Sequence, residues 1–393
     1  MKSYIVFFLC HVLLFLLSGS CHYDTLIQTS DHQESKIDSF SSRTAPFFGM
    51  NIDVNRVDCH GQKGANIPNV TQINELKLTW LRQESNFFRP HDLIDAGNSG
   101  SDYLKAMDVW AERFIPLLKL IDSVNNSPLR KNGTLAPLRL LLVIHSDFYY
   151  FPKAMMHLIH NRNLGANIGS DLIAWQIGNE PDIPYEGAPA ATHPAVYAEV
   201  LQRGYKKIRD AYTELALAYP KIVTAGLGKT SANPSPGEDL MASLDQKLYL
   251  KKVIEANQGQ RYFDAVALHF YGVRVDNYNE HPFGLPNSYS ITEIIDAHRT
   301  LIGSQVPIWI TEIGIHAGPN PNPQEVAAGT RFISSVFNFF TSSAGSLNIN
   351  NFFWFGWHDV VGHGEFGIAD ACNRTNRWQY QAIKNHKDKF RAH

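Results

Sequence analysis

The chain has 393 residues, 44% of them hydrophobic and 18% charged, with a formal net charge of −2. That much apolar material builds a large core and excludes overall disorder. The near-neutral balance, with no basic run, excludes a nucleic-acid or membrane-surface binder and weighs against a strongly anionic polymer as partner.

Residues 1–20 read as a secretory signal peptide. Lys2 supplies the positive start, Ile5 to Leu17 the apolar core, and Ser18-Gly19-Ser20 a small-residue cleavage site. The apolar run is shorter than the ~20 residues of a membrane span, and no later segment is long enough, so no membrane span is expected. The expected location is extracellular, with lipoprotein anchoring at Cys21 possible in a bacterium and an uncleaved signal anchor as the alternative. Residues 21–45 are polar and form a flexible lead. Sequons stand at Asn69, Asn125, Asn132 and Asn373.

From Pro46 to His393 short apolar runs alternate with helix-like stretches. Strands are expected at Phe47–Ile52, Leu78–Arg82, Leu138–His145, Leu172–Gly178, Ile222–Gly226, Phe263–His269, Pro307–Thr311 and Asn351–Phe355. Helices are expected at Tyr103–Ser123, Ala195–Tyr219, Asp239–Asn257, Ile291–Ile302 and Gln324–Thr341, the second with Val196, Val200, Gly204, Ile208 and Tyr212 at helical spacing. Eight alternations of strand and helix predict a single-domain α/β fold, the (β/α)8 barrel. Long connections after the strands (Gly228–Asp239, Gly272–Ser290, Ile315–Pro323 and His358–Trp378) would wall a cleft on one face. Cys59 and Cys372 follow the first and last strands, neighbours in a closed barrel, and either form a disulfide or stand as two thiols.

The chemistry concentrates at two strand ends. Leu172-Ile173-Ala174-Trp175-Gln176-Ile177 runs into Gly178-Asn179-Glu180-Pro181, and Val306-Pro307-Ile308-Trp309-Ile310 into Thr311-Glu312. Continuous apolar runs mark buried parallel strands, and barrel chemistry sits at their C-terminal ends. The two glutamates are 312 − 180 = 132 residues apart, yet a closed barrel can set them face to face. A carboxylate pair is what glycosidic bond cleavage requires. In the retaining version the carboxyls stand ~5–5.5 Å apart, and the acid has a raised pKa from apolar walls and the second carboxylate.

On these motifs, the stretch from Pro46 to His393 resembles clan A of the glycoside hydrolases, the retaining (β/α)8 β-glycosidases. The resemblance implies that Glu180 is the acid/base, Glu312 the nucleophile, and Asn179 a partner of the sugar 2-hydroxyl. It implies that Arg82, in Trp80-Leu81-Arg82, and Tyr271, in His269-Phe270-Tyr271, orient the nucleophile. A buried Arg without a carboxylate partner would itself be costly. His145, Asn51 and Asp53 are further candidates to line the site. Within Asn351-Phe352-Phe353-Trp354-Phe355-Gly356-Trp357, Trp354 or Trp357 is a candidate platform for the sugar ring, with Trp354 expected to point inward.

The Asn-Glu-Pro-Asp, His-x-Tyr and Pro-Ile-Trp-Ile-Thr-Glu runs are similar to the small endo-β-1,3-glucanases, while Gly178-Asn179 is closer to the heparanase and β-glucuronidase group. Expected partners are therefore a carbohydrate substrate, β-1,3-glucan first, and no cofactor or metal, in a monomer. The alternatives are a glucuronidase- or xylosidase-type exo-enzyme of the same clan, or a non-catalytic sugar-binding barrel. Other chemistries lack their signatures. Gly228-Lys229-Thr230 has Val223 where a phosphate loop begins with Gly, His157 and His160 have no third ligand, and Asn51-Ile52-Asp53 replaces a metallohydrolase His-x-His. No Gly-x-Ser-x-Gly elbow occurs.

Overall fold

A computed structural model describes residues 46–54, 67–85, 107–161, 169–184, 191–228, 245–271, 275, 289–316, 321–358, 366–370, 375 and 377–390. The signal, the polar lead, Cys59, Cys372, Asn373 and most of the long connections lie outside the described residues.

Eight strands form one sheet: β1 Phe47–Ile52, β2 Trp80–Glu84, β3 Arg139–Ile144, β4 Ile173–Ile177, β5 Ile222–Val223, β6 Val266–Phe270, β7 Ile308–Ile313 and β8 Ile349–Trp354. Their order is β5-β4-β3-β2-β1-β8-β7-β6, with parallel neighbours. Parallel bridges Val223↔Ala265 and Leu227↔Leu268 join β5 to β6, closing the ring into the expected (β/α)8 barrel.

The helices are α1 Val70–Glu75, α2 Ile115–Asn125, α3 Pro128–Lys131, α4 Tyr150–Asn161, α5 Pro194–Glu214, α6 Asp245–Ala256, α7 Ile291–Ile302, α8 Pro323–Ser343 and α9 Trp378–Lys384. Asn69 with Gln72, Ser290 with Glu293, and Asn322 with Glu325 form capping boxes that fix the starts of α1, α7 and α8. The expected Tyr103–Ser123 helix is interrupted. A helical stretch ends at residue 112, and α2 begins afresh at Ile115 because Pro116, lacking an N–H, suits the first turn of a helix. Among the described residues, no helix is long and apolar enough to cross a membrane.

Side-chain alternation divides the strands into two faces. Leu140, Leu142, Trp175, Ile177, Phe352 and others face the helices in the main core. Trp80, Leu141, Ala174, Val223, Ala265, Ala267, Trp309 and Phe353 fill the barrel interior. Trp80 meets Trp309 at 5.2 Å between ring centroids, and Trp309 stacks on Phe353 at 6.4 Å. Gly49 makes this plug possible, since a Cβ there would stand 2.5 Å from the Phe353 ring. One step further along the strands the interior turns polar, with Asn51, Arg82, Gln176, His269 and Glu312 all buried. The aromatic plug therefore forms the floor beneath a polar site at the C-terminal mouth.

The Asn125 sequon is structural. Its side chain is buried, donates to the Leu138 carbonyl at 3.2 Å and accepts the Leu138 N–H at 2.6 Å, so the amide is turned into the fold and away from solvent.

Candidate active site

Strand β7 explains how Glu312 reaches the interior. Trp309 and Thr311 share the inward face, so strict alternation would send Glu312 outward to the helices. A register shift between Ile310 and Ile313 breaks the period and sets Glu312 beside His269 of β6. An extra residue of this kind re-aims a side chain, and such bulges gather at barrel rims and active sites.

Glu180 arrives by a different route. Strand β4 ends at Ile177, and Gly178 then takes φ +81, a conformation that strongly favours glycine. Glu180 itself has φ 43, which in a non-glycine residue costs about 1–3 kcal/mol. Its N–H donates to the Gly226 carbonyl at 2.9 Å. Tyr197 of α5 donates to the Ile177 carbonyl at 2.9 Å and accepts the Ala225 N–H at 2.6 Å, pinning β4 to β5 beneath the turn. The following segment supplies room. A Cβ on Gly228 would lie 2.7 Å from Glu180 Oε1, and one on Gly226 only 1.8 Å from His269 Nε2.

Arg82 organises the floor of the site. Its Nη1 donates to Glu312 Oε1 at 2.7 Å and to Asn51 Oδ1 at 2.6 Å, its Nη2 to Asn179 Oδ1 at 2.7 Å, and its Nε to Gln176 Oε1 at 2.9 Å. Tyr271 donates its hydroxyl to the other Glu312 oxygen at 2.6 Å. Burial and the Glu312 charge hold the Tyr271 phenol well above its ordinary range, so it stays a donor. Asn51 in turn donates to the carbonyls of Thr311 and Trp354 at 3.0 and 3.3 Å, tying β1 to β7 and β8.

His269 lies between the carboxylates. Its Nδ1 shares a hydrogen bond of 2.8 Å with Glu180 Oε1, and its Nε2 stands 3.5 Å from Glu312 Oε1. One carboxylate oxygen of Glu180, one of Glu312 and a His269 nitrogen all lie within 4.8 Å of one another. The raised acid expected from apolar walls is not what this arrangement produces. Burial raises the Glu180 carboxyl, but the hydrogen bond and charge of His269, aided by Arg82, outweigh it and leave Glu180 below the ordinary value. Glu180 and His269 thus form a hydrogen-bonded pair at the mouth.

Most of the expected site residues converge on this mouth: Arg82, Glu312, Asn179, Asn51 and Tyr271 are joined in one hydrogen-bonded network, and the Glu180–His269 pair stands against it through the 3.5 Å approach of His269 to Glu312. His145 pairs with Glu84 of β2 beside it, with Nε2 2.7 Å from Glu84 Oε1. Asp53 follows directly on β1, at the same end of the strands. Trp354 is the exception. It is fully buried on the helix side, 6.0 Å from the ring of Phe337 in α8, and so cannot serve as a sugar platform. Trp80, Trp309 and Phe353 already fill the interior at the level below, and alternation then puts Phe353 and Phe355 on the inward face. Phe355 stands at the mouth instead, with its ring against Tyr271 at 6.0 Å and Phe366 at 5.6 Å. A Cβ on Gly314 would lie 2.3 Å from the Phe355 carbonyl oxygen, so glycine there lets β7 and β8 approach.

Sequence reasoning passed over Gln176, Glu84, Phe355, Gly226 and Gly228. Gln176 and Glu84 had a readable signal: each lies two residues along its strand from an inward residue, Ala174 and Arg82 respectively. The glycines had none, because their role is space.

The family model for the glycosyl hydrolase catalytic core matches residues 177–369, a span holding both glutamates. No curated protein sequence matches the chain. Solved structures share the fold. A glucosidase from Croceicoccus marinus is 12% identical, covering 88% of this chain and 68% of its own, with a TM-score of 0.52. Aphid myrosinase is 12% identical over 87% and 98%, with a TM-score of 0.52. A broad specificity endoglucanase from Clostridium acetobutylicum is 15% identical over 86% and 96%, with a TM-score of 0.51. With the barrel closed and the site at its mouth, residues 177–369 match the model of the glycosyl hydrolase catalytic core, and the whole barrel shares the (β/α)8 fold of these solved structures.

Proposed function

We propose that the protein is a secreted retaining β-glycoside hydrolase that cleaves β-1,3-linked glucan by double displacement. The observation that carries the reading is the approach of a Glu180 oxygen to within 4.8 Å of a Glu312 oxygen. Retaining enzymes hold their carboxyls ~5–5.5 Å apart, whereas inverting enzymes need roughly 6.5–9.5 Å to admit a water. The two environments also differ. Glu312 accepts from a guanidinium and a phenol, which suits a nucleophilic carboxylate, while Glu180 shares a hydrogen bond with an imidazole.

In the first step Glu180 protonates the glycosidic oxygen as a Glu312 oxygen bonds to the anomeric carbon and the leaving group departs. In the second, Glu180 removes a proton from water, the water oxygen attacks the same carbon, and the bond to Glu312 breaks. Phe355 would underlie the ring. The β-1,3-glucan assignment rests on the similarity of the two strand-end motifs to the small endo-β-1,3-glucanases.

The test is hydrolysis by the full chain of β-1,3-glucan, β-1,4-glucan, aryl β-xyloside and aryl β-glucuronide, with the first-formed anomer followed by NMR. The β-anomer should appear first and the β-1,3-glucan should be the best substrate. An α-anomer would overturn the retaining mechanism, a better rival substrate would overturn the glucan assignment, and hydrolysis of none would overturn the enzymatic reading.

A further inference from the structure

Beside the catalytic pair stands a third carboxylate that the mechanism leaves unused. Glu84 ends β2, two residues beyond Arg82 on the same inward face, and its side chain is 31% exposed. One oxygen is held at 2.7 Å by His145 Nε2 from the neighbouring strand exit. Arg82, His269 and Glu180 all lie within its electrostatic reach. Even a partly buried carboxylate is costly unless paired, and His145 supplies the pairing. Burial alone would raise the Glu84 carboxyl, but the hydrogen bond and charge of His145, with Arg82 and His269, hold it below its ordinary value.

The charge balance of the mouth follows. Glu84, Glu180 and Glu312 face one guanidinium and the imidazoles of His145 and His269 among the described site residues; each imidazole is already hydrogen-bonded to a glutamate, and Arg82 spends N–H groups on Asn51, Gln176, Asn179 and Glu312. A sugar carboxylate entering here would meet three acidic groups and a cation already engaged. A neutral pyranoside instead offers hydroxyl donors, which an ionised carboxylate accepts strongly.

We infer that Glu84, oriented by His145, is a specificity-determining residue that accepts sugar hydroxyls from a neutral β-pyranoside and rejects β-uronides. This deepens the glycosidase reading and rests on it. It separates a glucan substrate from the glucuronide to which Gly178-Asn179 also points.

The experiment compares kcat/KM for 4-nitrophenyl β-glucoside and 4-nitrophenyl β-glucuronide in the wild type, Glu84→Gln and Glu84→Asp. The wild type should prefer the glucoside. Glu84→Gln should narrow that ratio about tenfold or more, as loss of a nearby like charge in a partly buried site requires. Glu84→Asp, which keeps the charge, should retain most of the preference and guards against a general loss of folding. A merely structural role would lower both substrates alike in Glu84→Gln, and that result, or a wild-type preference for the glucuronide, overturns the inference. Calorimetric binding of both glycosides to Glu312→Gln, with and without Glu84→Gln, reads the same ratio without turnover. Selective glucoside binding without hydrolysis by the wild type would overturn the hydrolase reading and leave Glu84 in its role. Equal binding would do the reverse, and binding of neither would overturn both.

Discussion

Arg82 on β2 and Glu312 on β7 meet at 2.7 Å in the barrel interior, 230 residues apart in sequence and both almost wholly buried. The pair is made possible by closure of the barrel and by the shift in β7 that turns Glu312 inward. Each charge is uncomfortable alone, so each makes the other tolerable, and neighbours take up the remaining donors. Breaking a buried pair by removing one partner costs about 3–5 kcal/mol. Arg82→Met should therefore lower stability by that order and abolish activity, whereas Arg82→Met with Glu312→Gln should recover part of the stability and none of the activity. Urea unfolding of the single and double variants measures this, and strictly additive losses would show that the pair is not coupled.

His269 sets the protonation of Glu180. Burial raises the Glu180 carboxyl, but the hydrogen bond and charge of His269, together with Arg82, hold it below its ordinary value. Removing the imidazole removes a lowering influence, so Glu180 should bind its proton more tightly. The basic limb of kcat/KM against pH reports loss of the essential acid. In His269→Leu this limb should move to higher pH, with a reduced maximum. A limb that stays put or moves down would exclude His269 as the partner that governs the acid.

The two adjacent aromatics on β8 and its exit should separate function from packing. Trp354 lies wholly within the helix-side core, so Trp354→Ala should cost about 3–5 kcal/mol in stability. Phe355 faces the mouth, and Phe355→Ala should lower kcat/KM by about tenfold, the upper range of an aromatic contact, with a smaller loss of stability. Thermal melts and steady-state kinetics on both variants decide it. The reverse pattern would restore Trp354 as the platform.

Asp147, in the turn after β3, has φ 55 and a buried Oδ2 with no hydrogen-bond partner among the described residues. Burial raises its carboxyl from 3.8 to about 6. A group that binds its proton more tightly when folded contributes most at low pH, and that contribution is lost as pH rises from 3.8 to about 6. Asp147→Asn keeps the shape, tolerates positive φ and carries no charge. It should raise the melting temperature at pH 7 and change it little at pH 3. An equal shift at both would assign the effect to something other than ionisation.

The strands were legible because buried parallel strands are continuous apolar runs; Phe47–Ile52 agrees to the residue, and the others within a few. The glutamates were legible because each closes such a run, and Arg82 because a buried guanidinium demands a partner. What escaped depends on three-dimensional parity and space. Whether Trp354 or Phe355 turns inward follows from which rings already fill the barrel below them. That Glu312 points inward needs the irregularity in β7, which leaves no mark in the string Ile310-Thr311-Glu312. Gly226 and Gly228 matter through the atoms they lack, beside His269 and Glu180. The depressed Glu180 carboxyl could not be foreseen, since it turns on a contact with His269, 89 residues away.

The most direct test of the account is covalent capture of the intermediate. Incubating the full chain with an activated 2-deoxy-2-fluoro β-glucoside should slow hydrolysis of the glycosyl-enzyme and add one sugar per chain in the intact-protein mass. Peptide mapping should place that sugar on Glu312, and Glu312→Gln should take up none. A label on any other residue, or turnover of the natural substrate with no adduct ever accumulating and an inverted product, would contradict a double displacement through Glu312.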